Sequence, residues 1–379
     1  MLYEFFVIAG VGLYILLAYT NYNYAIGLLA ALLPTYLLRL NIFGIPTTFL
    51  EMATWIVLLA SLFQPDIRKQ WLRNWYRLPV SFKLSLGIFI FSCIVSAFLN
   101  FPDSLGILKG WVITPLLWGW IVANSFTLFP LLLSGVLVSL IGFLQIFSVS
   151  RITSVYDVPN SLALFLVPLI ILALWNTGVF NKIAAIIMFV ALMGTRSIGG
   201  IAASLIFVRG RKIALLVIIL LVFLWPRVLY FVNSSSPTSL NVRLQMWSVS
   251  LQLIKKHPIA GIGLGNFESA YQQVLHQWFF EGRPNLLPEF VFRDPHNWIL
   301  SFWLNTGLLG LLSFISLHVI AMLKASKPIR LALISLLLFG LVDTIYWKND
   351  LASLHWFLLF SSVVTAATAV PLIAKQTAG

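Results

Sequence analysis

Apolar runs of about 20 residues recur along this chain, and that repetition decides what it can fold into. A run of that length is what a helix needs to cross a hydrocarbon core, and in lipid only helices and closed barrels satisfy their own backbone. The runs are continuous, not alternating, which argues against a barrel. The expected fold class is therefore an all-α polytopic membrane protein. Runs fall near 4–20, 24–39, 47–64, 82–99, 107–125, 128–148, 159–175, 181–194, 197–209, 213–232, 297–323, 329–347 and 352–373. That is about 12 or 13 transmembrane helices, with boundaries good to a few residues. The pair 181–194 and 197–209 is short for a full crossing and reads as tilted or broken helices. Composition agrees: 60% of the residues are hydrophobic and only 9% are charged, where a soluble chain carries about 25% charged.

The net charge of +13 invites a nucleic-acid reading, but topology accounts for it better. Arg68, Lys69, Arg73, Arg77 and Lys83 crowd one short connection, Arg209, Arg211 and Lys212 a second, and Lys324, Lys327 and Arg330 a third. The positive-inside rule puts all three in the cytoplasm. Alternation then sends 100–106, 149–158, 194–197, 233–296 and 348–351 to the opposite face, where Asp103, Asp157, Glu268, Glu281, Glu289 and Asp294 also fall. Three spans before the Arg68 connection put the amino terminus outside; a re-entrant or broken first pair puts it inside. Nothing basic precedes the first run, so it reads as a retained helix. The single Cys93 lies in an apolar run and says nothing about disulfides.

The chain reads as one integral membrane domain, 1–379, with a single large outer loop, 233–296. The loop is too long for a simple connection. Leu244, Trp247, Leu251 and Ile254 have helical spacing, with Asn241 as N-cap and His257-Pro258 as the stop. A second helix is expected over Phe267 to Phe280, capped by Asn266 and ended by the Gly and Pro residues of 281–288. Between them, GIGLGNF has no strand before it and so is no dinucleotide fingerprint. It is either a tight packing turn or a turn whose N–H groups meet a phosphate.

Four patches then line up in order: Asp157-Val158-Pro159-Asn160 before SLALFLVPL; Thr195-Arg196-Ser197 before IGGIAASL; Arg243 with Trp247 before HPIAGIGLGNF; and His296-Asn297 before WILSFWLNTGLLGLL. Together they resemble the O-antigen ligase and O-antigen polymerase (Wzy-type) superfamily of bacterial membrane glycosyltransferases. The first half is similar only in outline, through GIPTTFLEM and SLGILKG. The resemblance implies a GT-C-like helical bundle in the inner membrane with its site on the periplasmic face. It implies transfer of a glycan from an undecaprenyl diphosphate carrier, without metal or cofactor, to lipid A-core, to another glycan or to a protein hydroxyl. The single outer loop holding Arg and His together inclines the reading to ligase.

The residues fit that chemistry. A diphosphate at a membrane surface calls for cations, and Arg matches phosphate oxygens with a bidentate fork. Arg196 at the outer end of a short span and Arg243 on the loop helix are the main candidates, with Lys109 and Arg151 behind them. The acceptor hydroxyl needs a base that titrates near neutrality, which is what His supplies. His296 is the best placed of five, with Asp294 or Asn297 to orient its ring and Asn160 in support. His257 reads as a cap, His276 as solvated and His318 as a core residue. His355, with Asp343, Lys348 and Asp350, reads as an interfacial charge network or, alternatively, as a cluster that binds acceptor. No His-Glu-x-x-His pair, Gly-x-Ser-x-Gly elbow or Walker sequence is present. Trp278, Phe279, Phe280, Phe290, Phe292 and Trp298 read chiefly as interface anchors. A transporter of lipid-linked glycan is the alternative from another class, although no internal repeat supports it.

Overall fold

A computed structural model describes residues 2–42, 45–125, 128–204, 239–283, 286–287 and 291–376. The run at 213–232, the Arg209, Arg211 and Lys212 connection, Glu289 and Phe290 lie outside the described residues. Most of the described chain is helical, as the apolar runs require, and its two strands form one short hairpin. Its helices are α1 (Leu2–Thr20), α2 (Tyr22–Ala31), α3 (Phe49–Ala60), α4 (Pro65–Arg77), α5 (Val80–Leu99), α6 (Ser104–Ser125) and α7 (Leu128–Phe143). They continue with α8 (Pro159–Trp175), α9 (Val179–Thr195), α10 (Ile198–Ser204), α11 (Ser239–Lys256), α12 (Phe267–Phe280), α13 (Trp298–Lys324), α14 (Lys327–Phe339) and α15 (Asn349–Gln376). Among the described residues α5, α6 and α13 are long and apolar enough to cross a membrane by themselves, and α1, α7, α8 and α9 are shorter apolar helices. The bundle is centred on α8, buried from Ser161 through Ala173 and packed between α9 and α14. The pairs α5 with α13 and α6 with α15 form the other half.

Two runs end earlier than their hydropathy suggests and a third turns sharply at its end, each for a local reason. The run at 24–39 gives way to a hairpin, β1 (Arg39–Ile42) against β2 (Ile45–Thr48), with Arg39 opposite Thr48. Thr48 then caps α3, its hydroxyl accepting from the Glu51 amide at 3.2 Å. The run at 47–64 breaks at Gln64-Pro65, because a residue before proline is pushed out of the α region. The chain turns there by 105°, and the basic segment expected as a connection is the helix α4. The run at 329–347 stops at Phe339, and residues 340–348 are non-helical.

Residues 239–280 fold as two helices joined by a turn, close to the sequence expectation. Asn241 is a correction: α11 begins at Ser239, which places Asn241 inside it. The GIGLGNF turn packs against α13. The Ile262 amide donates to Leu304 O at 2.8 Å and the Leu308 amide donates to Ile259 O at 2.9 Å, so α13 is opened at Gly307 to receive the turn. Gly307 sits at φ 71° and ψ 178°, a region that is essentially glycine's alone. A Cβ there would lie 2.5 Å from Ile259 O. Gly307→Ala is therefore expected to destabilise the fold by about 2–4 kcal/mol, from strain and overpacking together. Thermal unfolding in detergent measures this, and a Tm equal to the parent's contradicts it. The amides of Gly261, Ile262, Leu264 and Gly265 all bond within the protein, so this is the packing turn and not a phosphate cradle.

Candidate active site

Three of the four patches meet at a residue that none of them contains. Asp343 lies in the non-helical segment after α14, buried at 4% exposure. Three backbone carbonyls of that segment are taken by donors from elsewhere. Gly340 O accepts from the Trp298 amide at 2.8 Å, Leu341 O from Asn297 Nδ2 at 3.0 Å, and Val342 O from Arg243 Nε at 2.7 Å. These bonds replace the helical ladder that the apolar run promised.

Around Asp343 the donors converge. His296 Nδ1 is 3.1 Å from Oδ1, Asn160 Nδ2 donates to Oδ2 at 2.5 Å, and Arg243 NH2 lies 3.6 Å from Oδ2. Asn160 in turn accepts from Arg151 NH2 at 3.2 Å, and Arg151 Nε donates to Thr195 O at 2.8 Å. Arg151 is thus tied to the turn that carries Arg196. Arg196 ends α9 in the left-handed conformation, at φ 49°, and is exposed. The structure therefore brings Asn160, Arg151, Arg243 and His296 into one network and sets Arg196 beside it.

The orientation of His296 differs from the sequence expectation. Asp294 and Asn297 hold its backbone, whereas the ring is held by Asp343. Asp294 Oδ1 accepts from the His296 amide at 2.9 Å and from the Thr344 hydroxyl at 2.7 Å, and Ser301 donates to Oδ2. Asn297 caps α13, its Oδ1 accepting from Ile299 and Leu300 at 3.0 and 3.2 Å. The result is a His296 backbone at φ 51°, a conformation uncommon outside glycine and found where surroundings over-determine it. Its ring is partly exposed, and no hydrogen bond to Nε2 exists among the described residues.

Electrostatics follow from the same contacts. Burial pulls the His296 pKa down, but the hydrogen bond and charge of Asp343, with the charge of Asp294, outweigh it, and the pKa lies above the ordinary imidazole value. Burial raises Asp343, yet His296, the Thr344 amide and Arg243 bring it below the usual carboxylate range. Asp294 stays raised, because burial outweighs its bonds to His296, Ser301 and Thr344.

His296, Asp294 and Asp343 line a cleft of about 500 Å³. Its opposite wall comes from the amino-terminal half: Arg39 and Thr47 of the hairpin, Glu51 of α3, and Lys109 and Trp111. Lys109 lies in a π-helical turn, Leu108–Ile113, and is paired with Glu51 at 2.9 Å. Glu51 also accepts from Thr47 at 2.9 Å and from Asn349 at 3.1 Å. Lys348, in the cleft too, donates to Ser161 at 2.5 Å. His355 is a further difference from the sequence expectation. It lies buried in the bundle, 2.5 Å from His318 between the two Nε2 atoms, and not beside Asp343. No cluster of three or more His, Cys, Asp or Glu able to hold a metal occurs among the described residues.

The sequence reading places Asp343 in a cluster with His355, Lys348 and Asp350 and not beside His296. A signal was present: an ionisable residue inside an apolar run is costly unless it has a function and a partner. Among curated proteins none matches the chain. Residues 161–315, which carry Arg196, Arg243 and His296, match the family model described as O-Antigen ligase.

Proposed function

We propose that this membrane glycosyltransferase moves a glycan from an undecaprenyl diphosphate carrier to an acceptor hydroxyl, as a ligase working at the periplasmic face of the inner membrane. The observation that carries the reading is the pairing of His296 with Asp343 at the wall of the cleft. Asp343 holds the proton on Nδ1 and leaves Nε2 as the acceptor atom facing the cleft. The acceptor O–H gives its proton to Nε2 as its oxygen attacks the anomeric carbon. The bond from that carbon to the diphosphate oxygen breaks with inversion, and the carrier diphosphate leaves with its charge. The developing imidazolium is stabilised by the Asp343 carboxylate.

Arg196 and Arg243 are proposed to grip the diphosphate, whose negative charge grows as the bond breaks. Arg243 keeps a part-exposed guanidinium while anchored to Val342 O. Lys109 and Arg151 are engaged with Glu51 and Asn160, which supports a positioning role for each behind the two arginines. Asp294, Asn297 and Asn160 are proposed to hold the His296–Asp343 geometry.

Arg196→Ala is expected to raise the KM for the lipid diphosphate donor roughly 10- to 100-fold, the scale of one lost charge-assisted contact. The acceptor KM should move little. Steady-state transfer rates at varied donor and acceptor separate the two. An unchanged donor KM removes Arg196 from the site.

A further inference from the structure

The helix α4 presents three faces, and each points to a different neighbour. One face is docked on the bundle: Gln70 Nε2 donates to Asn124 O at 3.0 Å, Asn74 Nδ2 to Asn124 Oδ1 at 2.7 Å, and Trp75 meets Trp120 edge to face. The next face carries Leu72 and Tyr76, exposed at 55% and 75%, and continues the exposed Leu62 and Phe63 before the bend. The third carries Lys69, Arg73 and Arg77, four residues apart and all exposed, so they lie in one row along the helix. None of the three forms an ion pair with a carboxylate among the described residues.

Such a face order fits a helix lying flat in a bilayer interface. The 105° turn after α3 takes it out of the spanning direction. The apolar and aromatic face suits the acyl boundary, and the basic row then stands at headgroup height. We propose that Lys69, Arg73 and Arg77 form a docking site for anionic phospholipid headgroups, which fixes α4 on the leaflet opposite the His296 cleft. Charge complementarity selects the occupant: a row of three cations above an apolar face matches a sheet of lipid phosphates lacking neutralising amines. The inference is independent of the proposed chemistry.

The test uses the full chain in neutral detergent, with Tm followed as phosphatidylglycerol or phosphatidylcholine is added. The parent should gain stability from phosphatidylglycerol and not from phosphatidylcholine, and the gain should fade at high salt. In the triple variant K69Q/R73Q/R77Q, half the gain should need roughly a hundredfold more lipid or not be reached. The pair K255Q/K256Q, on α11, should behave as the parent. If the triple variant does not fold, Arg73→Gln alone carries the test, with a several-fold loss expected. A phosphatidylglycerol response in the folded variant equal to the parent's overturns the proposal, as does an equal response of the parent to inorganic phosphate or to phosphatidylcholine.

Discussion

His296→Ala should abolish glycan transfer, lowering kcat by roughly 10²- to 10⁴-fold, the range that a positioned general base contributes. Among the described residues the side chain makes one hydrogen bond, to Asp343, and its ring stands at the cleft wall. Removing it should leave the fold in place, because the turn is fixed by Asp294 and by the Asn297 cap and not by the ring. The variant should therefore melt near the parent and still bind donor. A kcat within a few-fold of the parent's, in protein that melts normally, sinks the base assignment.

Asp343→Asn should be almost as damaging and should carry a distinctive pH signature. The carboxylate accepts from Nδ1 and so leaves Nε2 free to take a proton. An amide can donate to Nδ1 instead, which favours the tautomer with the proton already on Nε2. A loss of roughly 10²- to 10³-fold in kcat is expected. The sign of the pH effect follows from the contacts. The base must be neutral, so transfer fails as pH falls through the His296 pKa. In the parent that pKa lies above the ordinary imidazole value, held there against burial by Asp343 and Asp294. Without the Asp343 charge, burial and Arg243 pull it down, and the acid limb of the rate profile should move to lower pH. Profiles of kcat against pH for both proteins check this. A limb that stays put or moves upward contradicts the dyad.

Where the sequence states its own punctuation, helix ends were readable to the residue. Pro159 after an extended Val158 opens α8 where expected, and Phe267 to Phe280 is α12 as read. The Asn297 cap sets the start of α13 within a residue of the expected run. Hydropathy misled where tertiary contacts overrule it. Residues 340–348 are apolar enough to extend a span, yet their carbonyls are better satisfied by Trp298, Asn297 and Arg243. Gly307 looks innocuous in a Leu-rich run because its value lies in a backbone conformation that hydropathy cannot register. The Arg68–Arg77 segment counted as a charged connection because its average is polar; its period is that of a helix.

The candidate site was legible as a set of residue types and less so as a geometry. Asn160, Arg243 and His296 belong to patches far apart in the chain, Arg151 lies just before the first of them, and they come together. Their meeting point, Asp343, is more than 40 residues from the nearest of them, and pattern alone does not pair them. The amino-terminal wall was the faintest part. GIPTTFLEM and SLGILKG supply Thr47, Glu51 and Lys109 to the cleft, and only the fold shows that they face His296.

The most direct measurement is a transfer reaction with the purified chain in detergent, free of metal, given an undecaprenyl-diphosphate-linked glycan and a hydroxyl-bearing acceptor. The glycan should appear on the acceptor in inverted linkage, with free undecaprenyl diphosphate released in equal amount, and His296→Ala should release none. Donor that stays intact with the folded parent, while the same protein in vesicles moves it across the bilayer, would contradict the account.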